Sequence, residues 1–469
     1  MVIGATGDLT SRKLLPALYD LMHHEAGSCI VLGVATSDLG DDGLRHRAAD
    51  ALIDVGVDPT DATSWARDHV FYERVARDAA YDTLARRIEN LESQLGLPGN
   101  RVLYLAIPPE AVPAAIERFG SAGLAQGPGW TRLVVEKPFG RDLDSAREWN
   151  RLIHSYFGEE DVYRIDHYLG KETVQNLLVF RFGNPIFESS WNRDRIERVE
   201  ITVAESIGVG TRGRYYDQTG VLRDMVQSHL TQIMSLIAME SPTQFIPGDV
   251  RDEKVKVLRS IQPIEPGEIV LGQYHRGVGN GVSMDDYTAA PGVDPSSRVP
   301  TYAALRLSID NWRWQGVPFY LRAGKAMARR QTQVAVTFRS PPVCLFHARP
   351  DDCMNEGNVL YVTLQPDEGF SLVIDVKEPA DTFQLHRVPL DFSYADAFGE
   401  IPEAYETLLA DVIEGDPTLF VRSDEVEQAW RLYTPLLEAD LPVHPYPAGS
   451  WGPAEAADLL DADHWATGE

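Results

Sequence analysis

Residues of the types that handle phosphates, sugar hydroxyls and protons fall into a few compact groups. The 469-residue chain has seven lysines (Lys13, Lys137, Lys171, Lys254, Lys256, Lys325 and Lys377) beside 36 arginines. Arg and Lys serve a solvated surface alike, but they are not interchangeable where a compact ammonium must touch a phosphate or a hydroxyl. Lysines kept in so Lys-poor a chain are candidate site residues, with chance retention as the alternative for any one of them. Asp166, His167, Tyr168 and Lys171 lie close in sequence. A helix beginning after Asp166 would place His167 and Lys171, four apart, on one face with Tyr168 beside them. A helix N-terminus with a His, a tyrosine hydroxyl and a Lys suits a phosphate dianion. The other reading makes Asp166 a plain N-cap among surface residues.

Gly4-Ala5-Thr6-Gly7-Asp8-Leu9 follows a short apolar run and opens a helix. Glycines there permit a tight turn and let backbone N–H groups approach a pyrophosphate. The spacing is GxxG and not the full GxGxxG, so alone it also fits a structural turn. The chain starts three residues before Gly4, and residues are expected upstream. His229 lies on an apolar helical stretch, where a hydrogen-bonded core histidine is the ordinary reading. Asp224 precedes it by five residues, about 140° away around an ideal helix, so spacing does not pair them.

These groups need elements to hold them. β-rich runs at Val2-Ile3, Cys29–Ala35, Val70–Glu73, Val102–Ile107, Leu133–Val135 and Val162–Ile165 alternate with helical patterns at Leu14–His24, Leu44–Val55, Tyr81–Leu95, Val112–Phe119 and Asp144–Tyr156. Continuous apolar strands alternating with helices imply a doubly wound parallel sheet, a Rossmann-like domain over residues 1–165. Lys137, after the fifth strand, would stand at the carboxyl end of that sheet, where such folds place ligands. Its bland alternative is a surface turn. After Asp166 a helix over Gly220–Met239 is followed by extended segments at Glu268–Tyr274, Ala304–Ile309, Val334–Phe338, Leu360–Leu364, Ser371–Val376 and Gln384–Val388. Strands without intervening helices predict a larger α+β domain over residues 166–469 with a mainly antiparallel sheet. The Gly-rich stretch 277–300 reads as a long mobile loop.

Composition narrows the partners. With 43 Lys+Arg against 70 Asp+Glu the formal charge is −27, which opposes nucleic acid or an anionic membrane as a partner. No apolar run approaches the ~18 residues that cross a bilayer, and no leader is apparent, so a cytoplasmic protein is expected. Cys29, Cys344 and Cys353 form neither a disulfide framework nor a metal pair, and no metal is expected.

Three segments together carry a family resemblance: Gly4-Ala5-Thr6-Gly7-Asp8-Leu9 with Arg12-Lys13, Glu136-Lys137-Pro138, and Arg164-Ile165-Asp166-His167-Tyr168-Leu169-Gly170-Lys171-Glu172. They resemble the glucose-6-phosphate dehydrogenase family. The match extends through Tyr216-Asp217, Gly220, Arg223-Asp224-Met225, His229-Leu230, Leu321-Arg322-Ala323-Gly324-Lys325 and Ala448–Pro453, nearly the whole chain.

The resemblance implies oxidation of glucose 6-phosphate to 6-phosphogluconolactone with hydride transfer to NADP, or also NAD, as the first step of the pentose phosphate pathway. His167, Tyr168 and Lys171 would hold the 6-phosphate. His229 would be the general base and Asp166 its orienting partner, while Glu205 and Asp224 would contact sugar hydroxyls. Lys325 would reach the sugar ring, with Arg330 and Gln365 as further substrate contacts, and Lys137 would touch both substrate and coenzyme. Gly4, Ala5, Thr6, Gly7, Asp8 and Leu9 would bind the coenzyme, joined by Thr36 and Ser37. The family pairs into dimers, so a homodimer or a dimer of dimers is expected. A paralogue acting on another hexose 6-phosphate is the alternative among enzymes. A non-catalytic sugar-phosphate-binding regulator is the alternative outside them, and it would need a broken catalytic set, whereas Asp166, Lys171 and His229 are all present.

One departure stands out. The family typically carries an Arg directly after a Gly-x-Ala turn for the 2′-phosphate of NADP, and here Gly33-Val34-Ala35 is followed by Thr36, Ser37 and Asp38. Losing one charge-assisted hydrogen bond of ~1.5–3 kcal/mol predicts a roughly ten- to hundredfold weaker hold on NADP. Relaxed coenzyme choice follows, with Arg12 or Arg45 as substitute cations.

Overall fold

The computed structural model describes the chain except residues 25–28, 280, 344, 347–356, 380–384, 400, 461–463 and 467–469. Cys344, Cys353 and Gln384 therefore lie outside the described residues. The chain packs as two compact units. The first holds Met1–Gly170, Gln244–Arg251 and Pro402–Glu427, and the second holds Lys171–Thr243, Asp252–Ile401 and Gln428–Glu469. Among the described residues no helix is long and apolar enough to cross a membrane.

In the first unit, strands β1 (Val2–Ile3), β2 (Val31–Ala35), β3 (Val70–Arg74), β4 (Arg101–Leu105), β5 (Thr131–Glu136) and β6 (Val162–Ile165) pair in the order β3-β2-β1-β4-β5-β6. Every pairing is parallel. The order reverses at β1, which is the doubly wound arrangement with its ligand crevice at the carboxyl ends. The helices expected between strands are present, and one more spans Pro59–His69. Its signals are local: Asp58 caps the amides of Thr60 and Asp61, and Pro59 stands at the first helical position.

Residues 402–427 return from late in the chain to this sheet, so the compact units do not follow the contiguous spans 1–165 and 166–469. Leu408, Leu409, Val412 and Phe420 are buried with Val134, Tyr163 and Leu14 in one apolar core. The Arg132 guanidinium donates to the carbonyls of Val412 (2.8 Å) and Ile413 (2.6 Å). Arg164, 1% exposed, donates to Glu159 (2.7 Å), to Asn150 Oδ1 (3.1 Å) and to Val421 O (3.4 Å). Val421 N answers by donating to Arg164 O, and Ser423 N donates to Glu159. Arg164 thus fastens the returning segment, a structural role within the motif that carries the family resemblance.

The second unit is built on β7 (Ile196–Ala204), β8 (Ile269–His275), β9 (Gly277–Gly279), β10 (Val282–Met284), β11 (Tyr302–Ser308), β12 (Pro318–Gly324), β13 (Gln331–Phe338), β14 (Val359–Gln365), β15 (Gly369–Lys377), β16 (Leu385–Ser393) and β17 (Val443–Pro447). Nine of them form one sheet in the order β16-β15-β14-β13-β7-β12-β11-β8-β17. It is antiparallel except at β7–β12 and β8–β17, which run parallel. Its central strand, β7, is absent from the segments expected above, because Glu197, Arg198 and Glu200 interrupt its apolar pattern. The stretch 277–300 is no free loop: β9 and β10 form a hairpin, and Asp217 accepts from Tyr287 Oη (2.9 Å), Asp294 N (3.3 Å) and Ser297 Oγ.

Arg164→Met removes the buried guanidinium that joins Glu159, Asn150 and Val421, and leaves Glu159 with His154 (2.7 Å) and the Ser423 amide (2.9 Å). Chemical denaturation is expected to show a loss of at most about 3–5 kcal/mol.

Candidate functional site

In the first unit the Gly4–Leu9 loop is set by one glycine. Gly4 has φ +93°, and a Cβ there would lie 2.1 Å from Ala106 O, so no other residue fits. Gly4 N donates to Val34 O (2.8 Å) and Gly7 N to Gly4 O (2.9 Å), which turns the chain into helical structure directly after Gly7. Ala5 is buried, while Thr6, Gly7 and Leu9 are half-buried and Asp8 is exposed, ion-paired with Arg12 (3.0 Å). Arg47, from the helix Gly40–Asp54, donates to Thr6 O (3.3 Å). Thr36 and Ser37 are exposed just past β2. Arg74, the last residue of β3, donates to Thr36 O (3.3 Å) and to Asp38 (3.1 Å). Spacing along the chain gave no sign of Arg47 or Arg74. The parallel register that sets Arg74 beside Ala35 is the signal that finds the second.

The carboxyl ends of β5 and β6 bring the next groups together. Glu136 pairs with Ile165 in register, so Lys137 and Asp166 leave neighbouring strand ends. The Lys137–Pro138 bond is cis. Asp166 does not start a helix: Tyr168 N donates to its Oδ1 (3.1 Å) and Leu169 N to its carbonyl (2.9 Å), making a tight turn. The helix spans Glu172–Phe182, with Lys171 at its N-cap. His167 and Lys171 therefore share no helical face, because a short polar side chain bonded to its own backbone competes with helix formation. The His167 ring lies 5.0 Å from that of Tyr168 and stacks on Tyr405 (6.4 Å, 9° between planes). Tyr405 also donates to Glu136 (3.2 Å), as does Tyr104.

In the second unit, four candidates converge at one end of the nine-stranded sheet. Parallel pairing sets Ala204 beside Gly324, so Glu205 and Lys325 leave β7 and β12 together and form an ion pair. Arg330 precedes β13 and Gln365 ends β14, and these strands meet at Thr332 and Gln365. With its amide oriented as its neighbours require, Gln365 accepts from Lys171 Nζ and from Arg330 Nη2 (3.3 Å). Lys325 Nζ also sits 4.9 Å from the ring centre of Tyr216, a buried residue of the Tyr216-Asp217 motif. Ala326, next to Lys325, is the one described non-glycine at positive φ (50°), held by bonds to Ile207 and Gly449.

His229 is buried, 1% exposed, on a helix that breaks at Gly220 (φ 65°, ψ 172°) and restarts. Over Leu222–Leu230 its ladder is i→i+5. The wider turn returns residues five apart toward the same side, so Asp224 and His229 are closer around this helix than an ideal α-helix makes them. Such widened turns are frequent at functional sites.

Comparisons with known proteins agree along the full chain. Residues 1–176 match the family model described as "Glucose-6-phosphate dehydrogenase, NAD binding domain", and residues 178–466 match "Glucose-6-phosphate dehydrogenase, C-terminal domain". Glucose-6-phosphate 1-dehydrogenase of Chlamydia pneumoniae is 43% identical over 99% of this chain and 94% of its own. Glucose-6-phosphate 1-dehydrogenase 2 of Mycobacterium tuberculosis is 40% identical over 98% and 92%. Among solved structures, a glucose-6-phosphate dehydrogenase in complex with glucose 6-phosphate superposes with TM-score 0.90 at 34% identity, covering 100% of this chain and 98% of that one. The Mycobacterium avium enzyme gives 0.86 at 34%, covering 100% and 97%.

Burial lifts the Glu136 carboxyl to about 7, while bonds from Tyr104 and Tyr405 and the charge of Lys137 act in the other direction. Its folded value lies above the ~4.3 of a free glutamate, so the folded state holds the extra proton between the two. Stability should therefore fall as pH rises from about 4.3 to 7, by at most ~1.4 kcal/mol per unit from this group. Glu136→Gln should flatten that part of the curve, and denaturant midpoints measured across pH 5–8 check it.

Proposed function

The chain belongs to the glucose-6-phosphate dehydrogenase family, and from that premise we propose that it oxidises D-glucose 6-phosphate at C1 to 6-phospho-D-glucono-1,5-lactone, the entry reaction of the pentose phosphate pathway. The observation that carries this reading is the convergence of Glu205, Lys325, Arg330 and Gln365 at one sheet end, in a chain matched along its length by such enzymes. NADP, or NAD, accepts the hydride.

The chain's own groups do the rest. Oxidising a cyclic hemiacetal requires the C1 hydroxyl proton to leave as hydride departs, and a histidine suits that exchange near neutral pH. His229 takes the proton. Asp166 is assigned the carboxylate that fixes the imidazole tautomer and stabilises the imidazolium. His167, Tyr168 and Lys171 are assigned the 6-phosphate, and Lys171 is already tied to Gln365, which limits its freedom before substrate arrives. Glu205 and Asp224 accept from sugar hydroxyls, and Lys325 donates to the ring side, its position fixed by Glu205 and Tyr216. Lys137, with the Gly4–Leu9 loop, Thr36 and Ser37, orients the coenzyme. A cytoplasmic location and a homodimer formed through the broad sheet of the second unit complete the proposal, both supported by the family resemblance.

His229→Asn keeps the shape of the side chain and removes the base. Turnover should fall by ~10²–10⁴-fold while glucose 6-phosphate binding measured by calorimetry stays within about threefold. Unchanged kcat would reject the assignment.

A further inference from the structure

The turn after β2 is where a doubly wound sheet recognises the adenosine ribose, through an acidic residue for the 2′-hydroxyl or an arginine for a 2′-phosphate. Here the turn itself is Thr36-Ser37-Asp38, with no cation of its own. The two substitutes suggested by sequence make their bonds away from this turn. Arg12 pairs with Asp8, and Arg45 donates to Val70 O (3.0 Å) and Asp42 (3.2 Å) with its guanidinium 5.5 Å from the Phe71 ring centre.

We propose that Arg74, delivered from the neighbouring strand, is the residue that recognises the 2′-phosphate of NADP, with Asp38 as its displaceable counter-ion. The inference rests on reading the first unit as a dinucleotide-binding domain. Arg74 ends β3 directly beside Ala35 of β2, and its guanidinium reaches over to Thr36 O and Asp38. That contact anchors the cation to the turn that would touch the ribose. A guanidinium has five donors in a planar fork, enough to keep the Thr36 bond and still meet a phosphate with two parallel hydrogen bonds. The Arg74 side chain is 57% exposed and that of Asp38 is 82% exposed. Exposed ion pairs contribute little net stability, so a phosphate dianion can replace Asp38 at low cost. With NAD, the Arg74–Asp38 pair stays closed and leaves the Asp38 carboxylate near a 2′-hydroxyl. One arginine on an adjacent strand thus gives a coenzyme choice that depends on an exchange of anions, where the family's usual Arg sits in the turn itself.

The test separates the 2′-phosphate from the rest of the coenzyme. The full chain and its Arg74→Gln and Asp38→Asn variants are titrated calorimetrically with adenosine 2′,5′-bisphosphate and with 5′-AMP. Arg74→Gln should weaken the bisphosphate by roughly ten- to a hundredfold and leave 5′-AMP unchanged. Asp38→Asn should tighten the bisphosphate severalfold. An equal loss for both ligands, no loss for the bisphosphate, or weaker bisphosphate binding by Asp38→Asn would overturn the proposal. If the unmodified chain binds 5′-AMP but gains nothing from the 2′-phosphate, the Arg74 assignment fails while the dinucleotide reading stands. If it binds neither, the dinucleotide reading fails as well.

Discussion

Parallel pairing of strands is the constraint on which each half of the proposed site depends. A parallel pair ends on the same side, so the residues that follow two such strands emerge as neighbours without any further device. In the first unit this brings Lys137 and Asp166 out of β5 and β6. In the second it brings Glu205 and Lys325 out of β7 and β12, inside a sheet that is otherwise mostly antiparallel. An antiparallel β7–β12 pair would send those two side chains to opposite ends. The parallel direction requires a long connection, and the chain uses the intervening residues for the helix that carries His229 and for β8 and β11.

Charge sets the second condition. A chain of net charge −27 repels the sugar phosphate and the dinucleotide at long range. Local groups must offset that field, and the cations nearest the proposed sites are restrained: Lys325 by Glu205, Lys171 and Arg330 by Gln365, Arg74 by Asp38, Arg47 by the Thr6 carbonyl. Restraint reduces the rotamer entropy lost on binding, which for long basic side chains is a large part of the cost. Buried polar bonds of the other kind hold the fold. Arg132 donates to the carbonyls of Val412 and Ile413, and Arg164 to Glu159, Asn150 and the Val421 carbonyl, which ties residues 412–421 to the first sheet.

Much of the first unit was legible because each apolar strand and each amphipathic helix is a local pattern. Gly4 was legible for the same reason, since a turn at positive φ admits little else. Lys-poverty made all seven lysines candidates before any geometry, and Lys13, Lys137, Lys171 and Lys325 fall within the motifs that carry the family resemblance. The helix after Asp166 was misplaced, because the Asp side chain closes a turn onto the Tyr168 amide and postpones the helix to Glu172. β7 was missed because its charged residues mask a strand that is central in the sheet, with Glu200 only 1% exposed and satisfied by Arg198 and the Ala466 amide.

The sequence by itself determined the family and the class of both sheets and supplied the candidate site residues, because these depend on residue type and short-range period. Tertiary structure alone decided which of them meet. The return of residues 402–427 to the first sheet puts Tyr405 on His167 and Glu136. The i→i+5 turn draws Asp224 toward the His229 side. The β2–β3 register hands Arg74 to a turn that lacks its own cation. Each of these is a long-range pairing or a departure from ideal helix geometry, and neither leaves a mark in local spacing.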